Sequence, residues 1–162
     1  MKKSVVFIAA ILMLAVSAPA GEEGVGLGVI LGEPTGVSFK TWISARSAVD
    51  AAAAWSFTEN ASFQFHADYL YHPFSVPKPR EVRGRVSFYY GLGGRFKNKE
   101  AGGLKERNVS DNLLGIRFPL GFSFFPGRAG VELFAELVPV LDVAPETHAD
   151  MNGAIGARYY FK

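Results

Sequence analysis

The chain is 162 residues long and holds no cysteine, which excludes disulfide frameworks and thiolate metal sites. Its 17 basic and 15 acidic residues leave a formal charge of only +2, and two of the bases, Lys2 and Lys3, stand at the extreme N-terminus. Past them 15 bases face 15 acids, so the composition offers no basic surface for nucleic acid.

The chain opens MKKSVVFIAAILMLAVSAPA. Lys2 and Lys3 form a positive n-region, Val5 to Val16 is an uninterrupted apolar run, and Ala18-Pro19-Ala20 supplies a small-residue cleavage pattern. The run falls short of the about 20 apolar residues a transmembrane helix needs. The expectation is a signal peptide over residues 1–20, cut after Ala20, and one exported domain over 21–162. Eight segments with strand character follow: Gly24–Leu31, Thr35–Ile43, Ser47–Phe57, Ala61–Tyr71, Arg85–Phe96, Asn112–Phe125, Gly130–Leu141 and Met151–Phe161. Gly-Glu-Pro (32–34), Thr-Glu-Asn (58–60) and Pro-Gly-Arg (126–128) make tight connections; residues 72–84, 97–108 and 142–150 make longer ones. AVDAAAAW (48–55) has helical propensity, but its neighbours are strands and Asp50 sits in phase with the small residues. Membrane-crossing strands need about 9–11 residues at a tilt, against about 5–6 in an average globular strand. Most of these runs fit the longer figure.

Successive strand side chains point to opposite faces. In FQFHADYLY, Phe63, Phe65, Ala67, Tyr69 and Tyr71 share one phase, while Gln64, His66, Asp68 and Leu70 share the other. The same division recurs along the chain. Lys40, Asp50, Asp68, Arg85, Arg95, Arg117, Glu132, Glu136 and Arg158 all lie opposite the bulky apolar residues. That charged phase is also crowded with glycine and alanine, which a solvent-facing sheet gains nothing from, but which make room for long side chains inside a narrow barrel. Aromatics gather near strand ends: Trp55 and Phe57, Tyr69 and Tyr71, Phe124 and Phe125, Tyr159 and Phe161. They match the interfacial girdles of membrane barrels. A base facing lipid at the bilayer midplane costs roughly 2–4 kcal/mol. Five of them outward would cancel a typical domain stability of about 5–15 kcal/mol. The charges therefore point inward as a lumen network, with His66 among them, and the aromatics face lipid. This fold class is all-β: an eight-stranded, antiparallel, up-and-down transmembrane β-barrel whose polar lumen is filled by side chains.

The leader, strand count, alternation and aromatic last strand GAIGARYYF resemble the small eight-stranded outer-membrane proteins of Gram-negative bacteria, of the OmpX and OmpA-transmembrane-domain type. The resemblance spans the whole exported chain. It implies residence in the outer membrane, contact with its lipids and lipopolysaccharide, and recognition of the last strand by the barrel-assembly machinery. It also implies a monomer with a structural or surface-interaction role. Three features depart from the pattern. Lys162 follows the terminal aromatic Phe161; the long loop 72–84 falls on the periplasmic side, where short turns are usual; and Pro119 interrupts the sixth segment, where a bulge or a broken hydrogen bond is expected.

Candidate chemistry is sparse. His66 and Asp68 have the spacing of a general base with its carboxylate, but no nucleophile accompanies them, and they read as lumen network. Asp142, Glu146, His148 and Asp150 cluster in the last outer loop, with the donor types of a divalent-cation site but no spaced motif. Lys97, Lys99, Lys105 and Arg107 suit lipopolysaccharide phosphates. No catalytic residue, cofactor or metal centre is expected, and a barrel this narrow is not a general porin. Two other classes stay open: a secreted soluble β-barrel binding a small apolar ligand, and a lipid-A-modifying outer-membrane enzyme. The second is disfavoured because the one strand histidine, His66, points inward.

Overall fold

The computed structural model describes residues 24–56, 62–77, 83–99, 111–127 and 130–161. The expected leader, Phe57, Lys105 and Arg107 lie outside them. The described residues form ten strands: β1 (Val25–Gly32), β2 (Gly36–Trp42), β3 (Ser47–Ser56), β4 (Ser62–Tyr71), β5 (Ser75–Val76), β6 (Arg85–Lys99), β7 (Asp111–Arg117), β8 (Leu120–Phe125), β9 (Val131–Ala144) and β10 (His148–Phe161). The alanine run of β3 stays extended because it finds hydrogen-bonding partners on both sides, in β2 and β4. Tertiary pairing overrides its helical propensity.

Ten strands make only eight staves. β7 and β8 pair with β6 and β9 in one continuous register on either side of Phe118 and Pro119, so they are a single interrupted strand. β5 pairs with β6 beyond the end of β4 and prolongs that stave. Each stave is antiparallel to its neighbours, and β10 pairs with both β9 and β1, which closes the ring. Followed once round, the register returns displaced by about ten residues, a stagger that tilts the staves and leaves a lumen just wide enough for side chains.

The interruption has a simple cause. Proline has no N–H, so the Gly91–Pro119 pair keeps only the bond from Gly91 N–H to the Pro119 carbonyl, 2.8 Å. On the other side the Phe118 N–H reaches the Pro139 carbonyl at 2.9 Å, and Pro139 returns nothing. Each proline removes one bond from a two-bond pair, and the wall stays closed.

The two faces are chemically opposed. Leu27, Val29, Phe65, Leu92, Phe118, Phe122, Leu137 and Ile155 are exposed on the outside. Inside, Lys40, His66, Arg117 and Glu132 have no exposure at all. Larger apolar side chains also turn inward, Leu70 on the phase it shares with His66 and Asp68. Trp42, Leu70, Tyr89 and Tyr160, with Ala48 and the flanking Phe125, fill the end where the first and last strands meet. Ile30 and Phe134 pack with Ala52 and Ala154 elsewhere in the lumen.

Glycine makes this filling possible. In register beside Lys40 stands Gly26, beside Arg158 Gly28, beside both Asp68 and Arg117 Gly93, beside Arg95 and Asp142 Gly115, and beside Glu136 Gly121. A methyl group on Gly26 would meet the Tyr160 ring at 2.9 Å, and one on Gly121 would meet the Tyr89 hydroxyl at 2.5 Å. Gly121→Val is therefore expected to lower unfolding stability by about 1–3 kcal/mol, the cost of overpacking a filled interior. Urea unfolding in detergent micelles measures it, and an unchanged midpoint would contradict the packing described.

Candidate functional site

Period-two alternation puts inward positions of adjacent strands side by side, so the lumen charges meet in rows. Lys40 on β2 is in register with Asp50 on β3, Asp50 with Asp68 on β4, and Glu132 on β9 with Arg158 on β10. Across the lumen the pairing is denser. The Lys40 ammonium donates to Glu132 at 2.8 Å and lies 4.9 Å from the Trp42 ring centroid. Arg158 bonds Asp50, reaches Glu132 at 3.3 Å, donates to the Ser38 hydroxyl at 2.8 Å and stacks over Phe134 at 3.8 Å. Glu132 also accepts from the hydroxyls of Ser123 and Tyr160. This carboxylate is the hub.

A second group surrounds Asp68, which takes the Arg117 Nε at 3.0 and 3.1 Å. The far end of that guanidinium lies 3.7 Å from Glu136, an ion pair beyond hydrogen-bond reach, while Tyr89 donates to Glu136 at 3.0 Å. A third group sits toward the mouth away from the termini. Arg95 forks onto Asp142 at 2.9 and 2.6 Å and reaches Asp150 at 3.4 Å. Asn152, with its amide turned to suit both neighbours, accepts from Arg95 and donates to Asp150, each at 3.2 Å.

The structure thus gathers Lys40, Asp50, His66, Asp68, Arg95, Arg117, Glu132, Glu136 and Arg158 in the lumen. Arg85 differs. It is half-buried at the end near the termini, where it lies over the Phe125 ring at 4.6 Å. The loop cluster 142–150 needs correction. β9 runs on to Ala144 and β10 begins at His148, so Asp142 is a buried lumen residue paired with Arg95, while Glu146 and His148 stand exposed. His148 is accordingly a second strand histidine. The His66–Asp68 base pairing does not form either, because His66 Nε2 is 3.8 Å from that carboxylate and equally far from Asp50. Lys97 and Lys99 end β6, and the Lys97 side chain is half-buried at the mouth. Of the expected girdle, Trp55, Tyr69, Tyr159 and Phe161 are exposed on the outer face, and Tyr71 and Phe124 are half-buried. Ser38, Tyr89, Ser123, Asn152 and Tyr160 were not anticipated as members of the network. Their inward phase was readable, but their partners lie across the lumen.

A closed antiparallel ring with an oily outside and an ion-paired, filled inside defines a small β-barrel. No family model matches the chain, and no curated protein does. Among solved structures it is similar to the N-terminal β-barrel domain of Pseudomonas aeruginosa OprF, with a TM-score of 0.66 over 85% of this chain and 95% of that one. The identity is 12%, so the likeness is one of fold.

Removing one member of a buried ion pair strands its partner, at a cost of about 3–5 kcal/mol. Arg117→Ala should lower stability by about that much, and adding Asp68→Asn should recover part of the loss. Urea midpoints in micelles test both, and an Arg117→Ala barrel as resistant as the parent would refute the inward network.

Proposed function

We propose that the chain is an integral outer-membrane β-barrel of a Gram-negative envelope, in which the lipid-facing belt anchors it and the lumen network holds it rigid. One observation carries this reading: large apolar side chains cover the outside of a closed wall while the buried ions lie inside it. In water so continuous an apolar surface is an aggregation liability or marks a membrane or partner contact, whereas a bilayer requires it. The fold likeness to the OprF barrel domain supports it. Trp55 near one end and Tyr69, Tyr71, Phe124, Tyr159 and Phe161 near the other fit the two interfacial levels of a membrane.

The role is structural or surface-interactive rather than porin-like or catalytic. The aromatic plug of Trp42, Tyr89, Tyr160 and Phe125 and the paired charges above it occupy the space a solute would need. A monomer that stiffens the envelope, touches lipid and lipopolysaccharide, and presents its mouth to a partner uses what this barrel has. Assembly through β10, which ends in Tyr159-Tyr160-Phe161, matches the terminal-strand signal of such proteins.

Cell fractionation should leave the protein with the outer membrane until detergent is added, and the unheated extract should migrate differently from a boiled one on a gel. Planar-bilayer recording should give no large steady conductance. Recovery in buffer without detergent would overturn the membrane assignment, and a wide, stable pore would overturn the filled lumen. Spin labels at Phe65 and Phe118 should report acyl chains; an aqueous signal there would reverse the orientation.

A further inference from the structure

β3 and β4 set Asp50 and Asp68 directly opposite one another, both inward and both buried. Like charges facing each other on one side of a sheet repel, more so in a low-dielectric interior. Arg158 and Arg117 each take one of the two carboxylates. Between the acids comes His66, on the same face of β4 two residues before Asp68. Its Nε2 lies 3.8 Å from Asp50 Oδ1 and 3.8 Å from Asp68 Oδ2. The ring is fully buried, and neither of its nitrogens has a hydrogen-bond partner among the described residues. A buried imidazole in that state is costly unless another group engages it.

We propose that Asp50, His66 and Asp68 form a lumenal binding site for a divalent transition-metal ion of the zinc class. One donor atom from each residue lies within 4.8 Å of the others. Ligands about 2.0–2.1 Å from a tetrahedral zinc stand about 3.4 Å apart, so the two imidazole–carboxylate distances of 3.8 Å need a few tenths of contraction, and the two carboxylate oxygens, within 4.8 Å of each other, close by at most about 1.4 Å through side-chain rotation. The donor set selects the metal: an imidazole suits zinc, nickel or copper, whereas calcium and magnesium take oxygen. Among the described residues five buried carboxylates, Asp50, Asp68, Glu132, Glu136 and Asp142, face four buried cations, Lys40, Arg95, Arg117 and Arg158, an excess of one acid that balances one of the two charges a divalent ion brings. Arg158 and Arg117 then orient the two carboxylates, as partners behind metal ligands commonly do.

At the mouth away from the termini a polar cavity of about 300 Å³ is lined by Glu33, Thr35, Gln64, Lys97 and Asn152 among others. Gln64 precedes His66 by two residues on the same face of β4, about 7 Å along the strand, so this cavity is the nearest open space from which an ion would enter.

The full chain, folded in micelles and cleared of metal with a chelator, is titrated with Zn²⁺. One ion should bind per chain, and His66→Gln should weaken binding at least about tenfold. Exposed His148 lies outside the site, so His148→Gln should leave the affinity within about twofold. Should His66→Gln fail to fold, X-ray absorption of the zinc-loaded parent decides the matter, with one imidazole and otherwise oxygen donors expected around the ion. No retained zinc, equal affinity in His66→Gln, a comparable loss in His148→Gln, or a coordination shell without imidazole would each overturn the site.

Discussion

The structure depends on keeping ions off the outer face of the wall. In a closed wall each side chain has two destinations, out to the apolar belt or in to the lumen, and in the bilayer proposed for this barrel a charge that points out loses its water with nothing to replace it. Pointing in, it loses its water as well, but other charges compensate. Glu132 shows how completely: it meets Lys40, Arg158, Ser123 and Tyr160 at once. A buried pair only roughly breaks even against an apolar alternative. What the network contributes is definition, since each member fits one arrangement of staves and register.

Space in the lumen is the second constraint, and the chain meets it with glycine rather than with fewer side chains. The glycine beside a charge in register lets the long neighbour lean across the wall, as Asp68 and Arg117 both do over Gly93. Aromatic residues then close the end near the termini, where Lys40 lies against the rings of Trp42 and Tyr89. A rigid, nearly solid interior suits the structural role proposed for the barrel and leaves little room for a channel. It is also why His66, fixed between two acids, has a defined geometry to offer an ion.

The prolines mark the limit of what the wall tolerates. Pro119 and Pro139 each delete one bond, yet the register on either side of Phe118 is unchanged. Neighbouring bonds in a closed sheet hold the strand in place, so a lesion that would end an edge strand here merely splits one stave in two.

Much of this was legible in the residues. The period-two alternation assigned the inward face of Lys40, Asp50, Asp68, Arg95, Arg117, Glu132, Glu136 and Arg158, because phase along a strand is a local property and the penalty for a lipid-facing ion is large. Strand ends were less legible. Asp142 read as a loop acid because β9 and β10 run past the turn residues that bound most other strands, and only its pairing with Arg95 makes it part of the interior. Arg85 had the right phase but stands at the rim. Which acid meets which base was beyond the sequence altogether: Lys40 and Glu132 are 92 residues apart, and Arg158 and Asp50 are 108 apart. Alternation along each strand fixed the face of the side chains within the strands it delimited, whereas the partners, and the meeting of Asp50, His66 and Asp68, were decided only when ring closure and stagger set the distances across the lumen.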